Sequence, residues 1–154
     1  MKIGVMFIRG DGVFFSKAIR LFTRGEWSHV AIEITEDHIL ESEIFQRCQI
    51  LQKNQVDYYN LKHEVIEIEL TDEQHRKMVN AIGKAIGKKY DYKLIIKILL
   101  KCIFKKRINF TNDEEFICSE LASWLLYNIG VINNKKVMSY SPNGLYRYLK
   151  KLGV

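Results

Sequence analysis

Cys118 is the residue in this chain best placed to do chemistry. It lies in the run Glu114-Glu115-Phe116-Ile117-Cys118-Ser119-Glu120-Leu121-Ala122-Ser123-Trp124-Leu125-Leu126. From Ser119 on, Leu121, Ala122, Trp124, Leu125 and Leu126 recur at helical spacing, and Gly130 follows as a stop. Cys118 therefore stands where a helix begins, where unpaired backbone N–H groups and the positive end of the helix dipole favour an anion. A cysteine in such a setting has its pKa lowered from about 8.5 to roughly 3.5–7.5, and the thiolate is the nucleophile. The chemistry this points to is attack on an acyl carbon. The competing reading is a buried free cysteine serving as a small hydrophobe. Two features weigh against it: the helix start, and a base upstream at His29.

A cysteine nucleophile needs a base, and the base needs a group to orient it. His75 lies on the polar side of an amphipathic stretch and His38 in a turn, so both read as solvated. His63 stands just before a strand and is ambiguous. His29 opens a strand between Ser28 and an apolar run, which makes it the candidate base. Three glutamates compete as orienter: Glu33 on the same strand, and Glu41 and Glu43 on the return strand. Hairpin register decides between them, because a slip of one residue moves a side chain to the other face. Glu41 shares a face with His29 if it lies opposite Ala31, and points away if it lies opposite Ile32.

The elements that must position these groups follow from periodicity. Residues 3–8 are a short apolar run read as a strand, Gly10-Asp11-Gly12 a turn, and 13–22 a short helix ending near Gly25. Residues 27–34 alternate as a strand, with His29, Ala31 and Glu33 on one face and Val30, Ile32 and Ile34 on the other. After a turn at 35–38, residues 39–45 form the return strand of a hairpin. Val56, Tyr58 and Leu61 suggest a further short strand. Residues 64–70 alternate with Ile66, Ile68 and Leu70 inward. Thr71 with Gln74 is a capping-box pattern opening a helix that carries Met78, Val79, Ile82, Ala85 and Ile86. A second helical pattern covers 93–106, a polar loop precedes the Cys118 helix, and Ser141-Pro142 caps the last helix. Strands come mostly first and helices later, which is an α+β arrangement, an antiparallel sheet packed against helices.

Bulk properties bound the rest. At 154 residues, with 47% hydrophobic and 27% charged residues, the chain is expected to be one domain over 1–154 with a substantial core. A charge of +6, from 24 Lys and Arg against 18 Asp and Glu, permits an anionic partner without establishing one. The N-terminus lacks a convincing signal peptide. Cys48, Cys102 and Cys118 have no framework spacing and no Cys-x-x-Cys, so neither disulfides, a metal site nor a cofactor is expected, and a reducing, cytoplasmic setting is.

Four pieces of the sequence together resemble one family: Trp27-Ser28-His29-Val30-Ala31-Ile32, Leu40-Glu41-Ser42, Lys89-Tyr90-Asp91-Tyr92 and Phe116-Ile117-Cys118-Ser119-Glu120-Leu121. Their order and spacing are similar to those of the YiiX/YebB-like proteins, a circularly permuted branch of the NlpC-type, papain-like cysteine peptidase superfamily related to the lecithin:retinol acyltransferase group. The resemblance spans Gly10 to about Leu149, although the usual Gly-Asp pair is only partly replaced by Gly10-Asp11. It implies a circularly permuted papain-like fold in which the histidine strand precedes the cysteine helix. It also implies Cys118 as nucleophile, His29 as general base and Glu41 as the residue that orients His29, with the Cys118 backbone N–H helping to hold the oxyanion. The expected activity is that of a cysteine hydrolase or acyltransferase working through an acyl-thioester on a peptide-type amide or a lipid acyl group. The rival expectation is a non-catalytic lipid- or peptide-binding module on the same fold.

One further stretch bears on partners. Lys93, Lys97, Lys101 and Lys105 recur every four residues among Leu94, Ile95, Ile96, Ile98, Leu99, Leu100, Ile103 and Phe104. This basic apolar helix over 93–107 is too short and too charged to span a bilayer. It reads either as a helix buried on its broad face with snorkelling lysines, or as a surface for anionic lipid that would make the protein peripheral to a membrane. Nucleic acid is not an expected partner, because the basic residues are spread out and no nucleic-acid motif is present.

Overall fold

The computed structural model describes residues 1–10, 14–42, 47–89 and 117–153; the side chains of Phe14 and Phe15 are left aside. Within them the chain is α+β. Strands β1 (Lys2–Ile8), β2 (His29–Glu33), β3 (His38–Glu41), β4 (Gln49–Gln52) and β5 (His63–Glu69) form one antiparallel sheet in the order β4-β3-β2-β1-β5. Helix α1 (Phe14–Thr23) links β1 to β2; α2 (Asp72–Ala85), α3 (Cys118–Asn128) and α4 (Pro142–Leu152) follow the sheet. Among the described residues no helix is long and apolar enough to cross a membrane.

β1 lies between β2 and β5, and Ile3 through Ile8, Gly4 included, are buried. A continuous apolar run is what a strand covered on both faces requires. Ile3, Val5 and Phe7 face the larger core with Val30, Ile32, Leu40, Ile66 and Ile68, where Leu121, Leu125, Leu145 and Leu149 of the helices pack. Met6, Ile8, Ala31 and Ile39 face the other way. That second face is covered by Leu51, Val56, Tyr58 and Leu61, all from the stretch between β3 and β5.

This covering stretch differs from its sequence reading. The strand is Gln49–Gln52, and Val56, Tyr58 and Leu61 do not form one; Tyr58 opens a 3-10 turn, Tyr58–Asn60, after an earlier turn at Lys53–Gln55. Val56, Tyr58 and Leu61 are apolar because they cover a sheet, not because they join it. In α2 the Thr71–Gln74 capping box forms as expected. Met78, Ala81, Ile82 and Ala85 are buried, whereas Val79 and Ile86 point to solvent. The inward stripe is therefore narrower than the apolar residues suggest.

Two local features deliver the ends of β2 and α3. Gly130 ends α3 with a positive φ of 79°, which glycine adopts without steric cost. Ser141 caps α4 by accepting from the N–H of Gly144, with Pro142 in its first turn. Next in α4, Asn143 is buried and clamps the entry to β2. Its side-chain oxygen accepts from the N–H of Trp27 at 2.8 Å, and its amide donates to the Trp27 carbonyl and to Thr23 Oγ1, both at 2.7 Å. A Cβ on Gly25 would overlap Asn143, so this close approach requires a glycine.

Candidate active site

His29 is the first residue of β2, at the end of the sheet, and Cys118 is the first residue of α3. The N-cap of α3 is Ile117, whose side chain makes no capping bond. The β2–β3 register pairs Ile32 with Leu40 and Glu33 with Ile39. That register carries Glu41 to the place opposite Ala31, on the face His29 shares. Of the three carboxylates left open by sequence, Glu33 instead bonds Tyr59 at 2.7 Å and Lys53 at 2.9 Å, and Glu43 lies outside the described residues.

The structure thus brings Cys118, His29 and Glu41 together. The Cys118 sulfur is near enough to His29 to raise its pKa by charge and hydrogen bonding. Its Nε2 lies 3.6 Å from Glu41 Oε2. Two residues not singled out by sequence complete the group. The Tyr58 hydroxyl donates to Glu41 Oε2 at 2.6 Å and stands 3.3 Å from His29 Nε2. Gln49 Nε2 donates to Glu41 Oε1 at 3.4 Å. The Glu41 side chain is only 1% exposed and His29's is 16%, so the carboxylate is enclosed while the imidazole keeps some contact with solvent. The other histidines stay apart: His38 bonds Thr35 Oγ1, His63 bonds the Leu61 carbonyl, and His75 lies on α2.

Burial is the largest influence on His29 and lowers its pKa. The charge and hydrogen bond of Cys118, followed by those of Glu41, more than reverse this, and the imidazole is raised from 6.5 to about 10. Burial of Glu41 disfavours its charged form, but the adjacent imidazole, Tyr58 and Gln49 outweigh it and hold the carboxyl below its usual 4.5. The signs set a stability profile. The His29 contribution is complete below pH 6.5 and is lost as pH rises towards about 10. The Glu41 contribution is complete above pH 4.5 and is lost as pH falls through its lowered folded-state value. Thermal denaturation across pH is expected to show stability falling between pH 6.5 and about 10, with His29→Ala lacking that slope. Parallel curves for both chains would contradict it.

Cys48 is the other described cysteine. Burial, reinforced by the Glu41 carboxylate and partly offset by Lys88, pushes its thiol up to about 12. It is a small hydrophobe of the core. Cys102, Tyr90-Asp91-Tyr92 and the basic stretch 93–107 lie outside the described residues.

An antiparallel sheet with a cysteine at a helix start, a histidine at a strand start and an enclosed carboxylate is the arrangement of an α+β protein with a cysteine–histidine–carboxylate cluster. The fold is YiiX-like. The chain is similar to the crystal structure of metalloprotein YiiX from Escherichia coli O157:H7, with a TM-score of 0.64 and 20% identity, over 84% of this chain and 66% of that one. At that identity the likeness is one of fold, and this chain spans just under two thirds of the other's length. No protein-family model and no curated protein matches the chain. The word metalloprotein in that name prompts a test of the donors here. Among the described residues no group of three or more His, Cys, Asp or Glu could hold a metal ion.

Proposed function

We propose that the chain is a cysteine-dependent hydrolase or acyltransferase, with Cys118 as nucleophile, His29 as general acid–base and Glu41 as its orienter, on a circularly permuted papain-like framework. The observation that carries the reading is the place of His29 beside both Cys118 and Glu41, with the imidazole raised to about 10. A raised imidazole beside a sulfur is what a thiolate–imidazolium pair requires. Cys118 Sγ attacks the acyl carbon, and the carbonyl electron pair moves onto oxygen. The backbone N–H groups at the start of α3 are suited to hold that oxyanion. As the tetrahedral species collapses, His29 gives its proton to the departing amine or alcohol, and an acyl-thioester remains on Cys118. His29 then takes a proton from water or another acceptor, which attacks the thioester and restores the thiolate. The substrate is a peptide-type amide or a lipid acyl group; an anionic surface engaged by 93–107 belongs to the second case.

Iodoacetamide, small enough for a buried sulfur, tests the reading. At neutral pH it is expected to modify Cys118 well ahead of Cys48 and Cys102, read by peptide mass spectrometry. Equal modification of all three would instead favour a binding module without catalysis.

A further inference from the structure

We propose that Tyr58 is a positioning residue: Glu41 holds the His29 imidazole through the Tyr58 hydroxyl, not by direct contact. This inference deepens the catalytic reading above and rests on it. The distances rank the contacts. Glu41 Oε2 to His29 Nε2 is 3.6 Å, an ion-pair separation longer than a hydrogen bond. Tyr58 to Glu41 Oε2 is 2.6 Å, the length of a charge-assisted O–H···O⁻ bond. Tyr58 to His29 Nε2 is 3.3 Å.

A phenol has one hydrogen. Here that hydrogen goes to the carboxylate, so towards Nε2 the same oxygen is an acceptor. An acceptor at Nε2 requires Nε2 to carry a hydrogen. Nδ1 is then the nitrogen that exchanges a proton with the Cys118 sulfur. The relay therefore fixes a proton position that a carboxylate at 3.6 Å fixes only weakly. Its far end is held as well, since Gln49 donates to the other Glu41 oxygen at 3.4 Å. The Tyr58 ring packs against the imidazole with centroids 5.3 Å apart. The turn Tyr58–Asn60, which covers the second face of the sheet, thus also delivers a group to the site.

Tyr58→Phe keeps the ring and removes the hydroxyl. Two readouts separate positioning from packing: the pH profile of Cys118 alkylation, and the imidazole tautomer by nitrogen NMR in Cys118→Ser at a pH where His29 is neutral. The expected tautomer is Nε2–H in Cys118→Ser. It needs no Tyr58 variant, so it stands even if Tyr58→Phe folds poorly. In folded Tyr58→Phe, alkylation at neutral pH is expected to fall about tenfold, and the imidazolium limb of the profile to move to lower pH. Adding Tyr58→Phe to Cys118→Ser should mix the tautomers. An Nδ1–H tautomer in Cys118→Ser, or a Tyr58→Phe profile identical to wild type, overturns the proposal. If His29→Ala also matches wild type, the catalytic reading itself has failed; if His29→Ala differs while Tyr58→Phe does not, only the relay has failed.

Discussion

Replacing His29 by alanine is expected to slow alkylation of Cys118 at pH 7 by about 30-fold, because a free cysteine is only a few per cent thiolate at that pH. In the wild-type chain the sulfur faces an imidazole whose pKa is raised to about 10, so the ring beside it is held charged across neutral pH. Without the ring nothing of that charge remains beside the helix start. The difference should close as pH rises past the range where an ordinary thiol ionises unaided. Turnover of any acyl substrate should fall further, by about 10²–10⁴-fold, since the proton for the leaving group is lost as well. Alkylation rates that match wild type throughout would mean the two side chains do not share a proton.

Glu41→Ala is expected to have the largest effect on stability of any change at the site, a loss of about 3 kcal/mol. The carboxylate is nearly inaccessible and is bound by Tyr58 and Gln49 beside a charged imidazole. Removing it leaves that charge enclosed without the carboxylate beside it, and takes an acceptor from the Tyr58 hydroxyl and the Gln49 amide. The imidazole pKa should fall, so labelling of Cys118 at neutral pH should fall with it. Glu41→Gln keeps the volume and an acceptor oxygen, so it should recover much of the stability but little of the labelling. Urea denaturation of both variants measures this. A Glu41→Ala chain as stable as wild type would show that the carboxylate is not held as described.

Cys118 and His29 could be named from the residues themselves because each sits at a local signal, whereas Glu41 is singled out only by the family resemblance. A helical repeat begins just after Cys118, and His29 opens an alternating run. Glu41 was one of three options, because alternation says which residues share a face but not which residue of the neighbouring strand lies opposite. Only the pairing of Ile32 with Leu40 puts Glu41 on the His29 face, and only the bonds of Glu33 to Tyr59 and Lys53 take that carboxylate elsewhere. Tyr58 gave no such signal. Its run mimics a strand, and its role comes from contacts with residues 17 and 29 positions earlier. Asn143 was hidden for a similar reason. Beside Ser141-Pro142 it looks like part of a helix start, yet its bonds reach Trp27, 116 positions away. Strands β1, β2, β3 and β5 and the α2 and α4 caps were legible because propensity, capping and burial agree there.

The most direct test of the account is to trap the acyl group on the protein. An activated aryl ester of a short carboxylic acid is mixed with the chain, quenched in acid within seconds, and the intact and digested masses are read. One acyl group on Cys118, absent from Cys48 and Cys102 and lost on longer incubation only when His29 is present, is the predicted result. An unmodified Cys118, or acylation spread evenly over the three cysteines, would contradict it.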